Sequence, residues 1–108
     1  MKIKQYEIYL INLNPTIGAE INKTRPCLII SPDELNEPLK TLTVAPLTTK
    51  IKNNYPFRPK INIENKEGQI VLDQISTIDK KRCVKRISEI DEKTKMEVKE
   101  ILLKMLVE

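Results

Sequence analysis

The sequence predicts an α+β, mainly β fold, in which a strongly bent antiparallel sheet is curled into a small barrel and followed by one helix. Two observations predict this class. Short runs of apolar and β-branched residues alternate with turn signals from Tyr6 to Ile87, which is typical of a small barrel. Apolar residues at helical spacing come only after Asp91. A length of 108 residues is that of one domain, so we expect a single domain over residues 1–108.

Six strands are predicted from apolar runs and from the alternation of apolar and polar residues. The unbroken run from Cys27 to Ile30 indicates a strand that is buried on both faces. Pro59 indicates either an edge strand or a strand with an irregular start, because proline cannot donate a hydrogen bond to a neighbouring strand. The predicted strands cover residues 6–11, 26–31, 41–47, 57–63, 69–73 and 83–87.

Two helices are predicted. Ser31 as N-cap and Pro32 at the first helical position begin a short helical turn, which ends before Pro38. Asp91 is the expected N-cap of a long C-terminal helix that packs its apolar face across the sheet. That face carries Val98, Ile101, Leu102, Met105 and Leu106.

The connections between these elements are polar. The loop over residues 12–24 is long for a hairpin and carries turn signals at Asn14 and Gly18, and loops of this length in a small domain are more often functional. The other connections are predicted as a polar turn at 64–68, a turn away from the sheet at 74–79, and either one helical turn or a charged loop at 79–82.

The composition narrows the classes of function. A formal net charge of +4 fits a polyanionic partner. No apolar run approaches the roughly 18 residues of a membrane span and no signal-peptide pattern is present, which favours a cytoplasmic protein without a membrane partner. Cys27 and Cys83 have apolar or β-branched neighbours, so we expect two reduced core thiols. The absence of histidine excludes histidine-based catalysis and most zinc sites, and we expect no metal or other cofactor.

Two predicted strands bring polar side chains to loop ends. Arg25 precedes Pro26, which disfavours helical backbone at the arginine and holds it at the mouth of a core strand. Thr48, Thr49 and Lys50 follow the third strand. A guanidinium with two hydroxyls and an ammonium is typical of an anion site on a rigid scaffold. Taken alone, an arginine before a strand is more often a surface cation or part of a structural ion pair, and the two threonines would be ordinary strand-end residues.

Six motifs occur in an order that is specific as a set. They are NLNPT at 12–16, Gly18-x-Glu20, KTRP at 23–26, SPD at 31–33, PLTTK at 46–50 and DQISTIDK at 73–80. From about Tyr6 to the C-terminal helix, the sequence therefore resembles the MazF/PemK toxins of bacterial type II toxin–antitoxin systems. The resemblance implies an SH3-like barrel with a C-terminal helix, a homodimer, and a sequence-specific, ribosome-independent endoribonuclease that inhibits translation and growth. It also implies a cognate antitoxin, which is small, acidic, partly disordered and DNA-binding, and which blocks the RNA groove.

The same resemblance implies the site residues. Arg25, Thr48 and Glu20 are the expected catalytic residues. RNA carries its own nucleophile, the 2′-OH. The arginine and the threonine hydroxyl can stabilise charge at phosphorus, and the glutamate can act as base. Such a reaction needs neither histidine nor metal. The expected products are a 2′,3′-cyclic phosphate and a 5′-hydroxyl. The residues expected to bind the single-stranded RNA substrate are Asn14, Lys23, Thr24, Thr49, Lys50, Lys52, Tyr55, Arg58 and Gln74.

Other functions remain open at this level. A CcdB-like poison of DNA gyrase would share the fold but would need no Arg–Thr pair, and it would contact its target chiefly through the C-terminal helix. A non-catalytic RNA-binding or antitoxin-binding module would bind RNA without cleaving it. Ser76 stands where many relatives have an arginine, so one RNA contact is expected to differ. A solvated face would equally explain the cations Lys50, Lys52, Arg58 and Lys60.

Overall fold

The structure, a computed structural model, describes residues 2–13 and 24–108. Within these ranges it contains seven strands, two helices and two short 3₁₀ turns. The strands are β1 (Glu7–Asn12), β2 (Thr24–Ile29), β3 (Thr41–Thr48), β4 (Lys60–Ile63), β5 (Lys66–Ile70), β6 (Ser76–Asp79) and β7 (Cys83–Glu89). The helices are α1 (Asp33–Asn36) and α2 (Glu92–Leu106), and the 3₁₀ turns lie at Leu72–Gln74 and Lys80–Arg82.

All strand pairs in the described residues are antiparallel, and β3 is the strand at which the sheet bends. The hydrogen-bonded order is β4-β5-β3-β2-β1-β7. One edge of β3 pairs with β2. On the other edge, the segment from Thr41 to Val44 pairs with β6, while Leu47 and Thr48 pair with β5. Because one strand serves three neighbours, the sheet curls into a half-barrel, which confirms the predicted fold class.

The predicted strand over residues 57–63 is wrong in its first half. The strand β4 begins only at Lys60, after Pro59. The proline has no N–H to donate, but its carbonyl accepts a hydrogen bond from the Ile70 N–H at 2.9 Å. Because β4 is the last strand in the order, the prediction of an edge strand is confirmed.

The predictions for the next segments need correction. The polar turn over 64–68 is only Glu64 and Asn65, whose φ angles of 49° and 66° make a tight hairpin turn, so that β5 begins at once. The strand predicted over 69–73 ends at Ile70. Residues 76–79 do not turn away from the sheet but form β6, because they pair with the beginning of β3. The helical turn predicted as one alternative over 79–82 is confirmed as a 3₁₀ turn.

The core has two apolar clusters, one on each side of the central strands. Leu28 packs with Ile8, Ala45 and Val98 on one side. Its neighbours Cys27 and Ile29 pack on the other side. The prediction that this strand is buried on both faces is therefore confirmed.

The long helix α2 covers the first cluster. Val98 is fully buried there, and Ile101, Leu102 and Met105 pack against it, as predicted. The prediction is wrong for Leu106, which is 62% exposed because it lies in the last turn of the helix. In the part of the chain that the structure describes, neither helix has the length and apolar character needed to cross a membrane.

The two predicted helix caps have different outcomes. Asp91 caps α2, because its Oδ1 accepts a hydrogen bond from the Thr94 N–H at 2.8 Å. The prediction that Ser31 caps α1 is wrong: the N-cap residue is Pro32, and no side chain caps the helix. The Ser31 hydroxyl instead donates to Asn36 Oδ1 and accepts a hydrogen bond from the Thr43 N–H at 3.0 Å. It thereby joins α1 to β3.

Candidate active site

Arg25 and Thr48 line one small cavity of about 210 Å³, where β2 lies beside the end of β3. The Arg25 side chain is exposed, and its Nη2 donates a hydrogen bond to the Leu47 carbonyl at 3.2 Å. A guanidinium has five N–H donors, so this contact orients the group and leaves other donors for a ligand. The remaining lining residues of the cavity are Pro26, Leu47, Thr49 and Ile63. The structure thus brings together an arginine and a threonine that are 23 positions apart in the sequence (48 − 25 = 23).

The Thr48 hydroxyl is oriented by its own loop. Its Oγ1 accepts a hydrogen bond from the Lys50 N–H at 3.1 Å. Because the oxygen is used as an acceptor there, the hydroxyl proton is available for donation to an anion in the cavity. Thr49 and Lys50 are exposed in the bend that follows β3.

Gly68 supports Thr48 from the neighbouring strand β5. A Cβ atom at position 68 would lie 2.6 Å from the Thr48 carbonyl oxygen, which is closer than real Cβ contacts. Only glycine allows the two backbones to approach in this way. From the sequence Gly68 is predicted to lie in a polar turn, and this role is not apparent there because the close contact depends on strand pairing and not on local sequence.

Gln69 holds the loop from 49 to 59 onto the sheet. The residue is 2% exposed and pairs with Thr48 in the strand register. Its Oε1 accepts a hydrogen bond from the Lys52 N–H at 2.9 Å, and its Nε2 donates to the carbonyls of Lys52 at 3.4 Å and Arg58 at 3.3 Å. This role of Gln69 was also not predicted from the sequence, where the one available signal is a polar side chain beside the apolar run that begins at Ile70.

Arg58 forms a two-bond ion pair with Asp73. Nε and Nη2 of the arginine donate to Oδ1 and Oδ2 of the aspartate at 2.9 and 3.0 Å. These hydrogen bonds lower the pKa of Asp73 from its usual value and raise that of Arg58. The Arg58 side chain is only 9% exposed, so the alternative of a solvated cation is wrong for this residue. Lys50, Lys52 and Lys60 are exposed.

Tyr55 lies against this ion pair. The centre of its ring is 4.3 Å from Arg58 Cζ and 5.4 Å from Lys52 Nζ. On the loop from 49 to 59, Tyr55 therefore lies close to two other residues expected to bind RNA, Lys52 and Arg58. Of the other expected RNA-binding residues, Gln74 is exposed at the end of a 3₁₀ turn, and Thr24 is half-buried in β2. The expected site residues Asn14, Glu20 and Lys23 lie outside the described residues.

The two cysteines form no disulfide, and burial keeps their thiols protonated. Cys27 is buried and Cys83 is half-buried in the same apolar cluster. Burial raises the pKa of the Cys27 thiol to about 12 and that of the Cys83 thiol to about 11. The expectation of core thiols is confirmed. Among residues 2–13 and 24–108, no three Cys, Asp or Glu side chains form a group that could hold a metal ion.

Known proteins resemble this chain both in sequence and in structure. A model of the PemK-like, MazF-like toxins of type II toxin–antitoxin systems matches residues 4–106. The chain is 33% identical over 107 residues to endoribonuclease EndoA of Bacillus subtilis (strain 168), covering 94% of this chain and 92% of that protein. It is 33% identical over 101 residues to endoribonuclease MazF of Staphylococcus epidermidis, covering 89% and 84%.

Solved structures share the fold at lower identity. A mycobacterial endoribonuclease in complex with its cognate antitoxin superposes with a TM-score of 0.81 at 19% identity, covering 96% of this chain and 94% of that one. A MazE–MazF structure from Deinococcus radiodurans gives a TM-score of 0.80 at 21% identity, covering 99% and 97%. The family predicted from the motifs is confirmed by the family match and the sequence relatives, and the fold by the structures. The chain therefore belongs to the PemK-like, MazF-like toxins of type II toxin–antitoxin systems.

Proposed function

We propose that the protein is the toxin of a type II toxin–antitoxin system and acts as a sequence-specific, ribosome-independent endoribonuclease on single-stranded RNA. The observation that carries the proposal is the cavity that Arg25 and Thr48 both line, since both side chains are hydrogen-bond donors. Support also comes from the two sequence relatives, both of which are named endoribonucleases. Cleavage of cellular RNA by such an enzyme would inhibit translation and growth.

The reaction follows from the chemistry of RNA and of these two side chains. The 2′-oxygen attacks the adjacent phosphorus and loses its proton to a base, while the bond from phosphorus to the 5′-oxygen breaks and that oxygen gains a proton. Negative charge develops on the nonbridging phosphate oxygens. Arg25 donates N–H bonds to these oxygens, and the Thr48 hydroxyl donates a further one. Glu20 is the proposed base. The products are a 2′,3′-cyclic phosphate and a 5′-hydroxyl, formed without a metal ion.

The RNA strand is proposed to pass over the ends of β2 and β3 and along the loop from 49 to 59. Exposed cations there provide electrostatic attraction for phosphates, and the net charge of +4 has the same sign. The proposed RNA-binding residues are Asn14, Lys23, Thr24, Thr49, Lys50, Lys52, Tyr55, Arg58 and Gln74.

The proposed partners are a second copy of the chain and a cognate antitoxin. One structural neighbour is named as a mycobacterial endoribonuclease in complex with its cognate antitoxin, and another as MazE–MazF from Deinococcus radiodurans. A small, acidic, partly disordered and DNA-binding antitoxin would suit the basic charge of this chain and would block the RNA groove. The proposed location is the cytoplasm, where the RNA substrate is found.

The test is incubation of the purified protein with long single-stranded RNA, without ribosomes and with EDTA, followed by mapping of the cut sites. We expect cuts at one short recurring sequence. Arg25→Ala should lower the rate on the order of 100-fold or more, because it removes donors to the developing charge, and Thr48→Ala should lower it also.

The matched control is Thr41→Ala, which removes an exposed hydroxyl at the opposite end of the same strand and should leave the rate unchanged. Intact RNA at high enzyme excess would contradict the proposal and would favour a gyrase poison or a binding module. A strict requirement for magnesium would contradict the metal-free mechanism.

A further inference from the structure

The loop from 49 to 59 carries the one exposed aromatic side chain of the protein. Of the four aromatic residues, Tyr9 is 2% exposed, and Tyr6 and Phe57 are half-buried. Tyr55 is 40% exposed. An aromatic ring open to solvent on a loop that Gln69 holds beside Thr48 is a feature that suits a planar ligand.

The Tyr55 ring packs against the guanidinium group of Arg58, which is held in place by hydrogen bonds. Arg58 Cζ lies over the ring at 4.3 Å. Both oxygens of Asp73 bind the arginine, which prevents the guanidinium from rotating away. An arginine held in this way is a planar surface for stacking rather than a free cation for phosphate.

Both ends of this support are joined to β3. Gln69 binds the Arg58 carbonyl and both backbone groups of Lys52. Asp73 follows Leu72, which is fully buried, and the Val71 N–H donates to the Pro46 carbonyl at 2.8 Å. The tyrosine is therefore held in a constant position relative to the end of β3, where Thr48 lies.

We infer that Tyr55 is a stacking surface for one unpaired base of the RNA, and that Arg58, Asp73 and Gln69 are positioning residues that orient it. The inference rests on the proposed function and names residues that set where the strand lies. Lys52 Nζ, 5.4 Å from the ring centre, is placed to meet the phosphate beside the stacked base. Asp73 acts through Arg58 and has no role in the chemical step.

The first test measures binding without cleavage. The protein has no tryptophan, so its fluorescence comes from its three tyrosines. Addition of a mixed-sequence 2′-O-methyl RNA, which lacks a free 2′-OH, should quench this emission in the wild-type protein. Tyr55→Phe keeps a ring for stacking but removes the tyrosine whose emission reports the contact. This variant should bind RNA as tightly as the wild type, measured by fluorescence anisotropy of labelled RNA, but its tyrosine emission should be quenched only a little.

Tyr55→Ala should weaken binding about 5- to 150-fold, the range observed when one base-stacking aromatic is removed. Equal affinity for the wild-type and Tyr55→Ala proteins would overturn the inference. Loss of binding in Tyr55→Phe equal to that in Tyr55→Ala would also overturn it, because it would assign the effect to the hydroxyl.

The second test separates positioning from charge. Arg58→Lys keeps the positive charge but lacks the planar fork, and Asp73→Asn keeps the shape but lacks the charge that holds the fork. Both should raise KM and alter the relative rates at different cut sites, with little change in kcat. The matched control is Glu67→Gln, which neutralises an exposed side chain on β5. It should change neither KM nor the relative rates at the different cut sites.

The outcomes distinguish the inference from the proposed function. Wild-type protein that fails to cleave RNA contradicts the proposed function, whatever the variants do. Wild-type cleavage with an unchanged KM and site pattern in Arg58→Lys and Asp73→Asn overturns the positioning role alone. Thermal unfolding of each variant checks that the measured effects arise in folded protein.

Discussion

Replacement of Gly68 by alanine tests whether the position of Thr48 matters for activity. The added Cβ would lie 2.6 Å from the Thr48 carbonyl oxygen and 3.9 Å from Ile63 Cδ1. The first contact is impossible without movement, and the atom in the way is backbone, which cannot rotate aside as a flexible side chain does. The strand that carries Thr48 must therefore shift away from β5.

The size of this shift follows from the contact. Ordinary contacts begin at 3.4 Å, so the backbones must separate by about 0.8 Å (3.4 − 2.6 = 0.8). A misplacement of about 1 Å at a catalytic group lowers the rate about 100-fold. Overpacking of this kind also lowers the free energy of unfolding by about 1–3 kcal/mol. We expect Gly68→Ala to lower kcat about 10- to 100-fold, with the protein still folded.

The assay is the initial rate of RNA cleavage at saturating substrate, together with urea unfolding to measure the stability. Glu67→Ala, one residue earlier in β5 and exposed, is the matched control and should keep both quantities near the wild-type values. Gly68→Ala protein with wild-type kcat and wild-type stability would refute the reasoning, because it would mean that the close approach does not constrain Thr48.

Three further predictions concern the rest of the molecule. Leu28→Ala should lower the free energy of unfolding in urea by about 2–5 kcal/mol, while the half-exposed Leu103→Ala should change it by less than about 0.5 kcal/mol; similar effects would contradict the described core. Asp91 has a lowered pKa because it accepts hydrogen bonds in the folded state. Its contribution to the free energy of unfolding in urea should therefore be present above about pH 4 and lost as the pH falls further. If the free energy of unfolding of Asp91→Ala fell with decreasing pH as steeply as that of the wild type, this prediction would be contradicted. At pH 8, iodoacetamide should modify Cys27 and Cys83 only after unfolding. With the raised pKa values, only about one part in a thousand of the Cys83 thiol is ionised at this pH, and less of the Cys27 thiol. Rapid alkylation of the folded protein would contradict these pKa values.

Features with local causes were predictable from the sequence. The run from Cys27 to Ile30 is apolar without interruption, and a strand that contacts two clusters requires this pattern. The stripe that includes Val98 has helical spacing because one face of α2 packs on the sheet. The Asp91 cap was predictable because its partner Thr94 is three residues away.

Features that depend on distant partners were not predictable in this way. The strand β6 has no apolar alternation strong enough to indicate it, and its structure comes from pairing with residues more than 30 positions earlier in β3. Asp73 and Arg58 are 15 positions apart, and Gln69 and Lys52 are 17 apart, so neither pair is visible in any short window. For the same reason the sequence suggested Arg58 as an RNA contact or as a cation on a solvated face, and did not indicate the carboxylate partner that the structure gives it.

The site formed by Arg25 and Thr48 was predictable from the sequence only in part. Each was chosen from its place at the end of a strand and from the motifs around it, and the structure brings the two into one cavity. Their proximity follows from the pairing of β2 with β3, which places Cys27 opposite Pro46.

The most direct measurement of the central claim uses a short RNA that contains the mapped cut site and a second oligonucleotide with a single 2′-deoxy nucleotide at that site. Both are incubated with the protein in EDTA, and the products are identified by mass. We predict that the RNA is cut to a 2′,3′-cyclic phosphate and a 5′-hydroxyl, and that the substituted oligonucleotide stays intact because it lacks the nucleophile. Cleavage of the substituted oligonucleotide, or fragments with 5′-phosphate ends, would contradict the account.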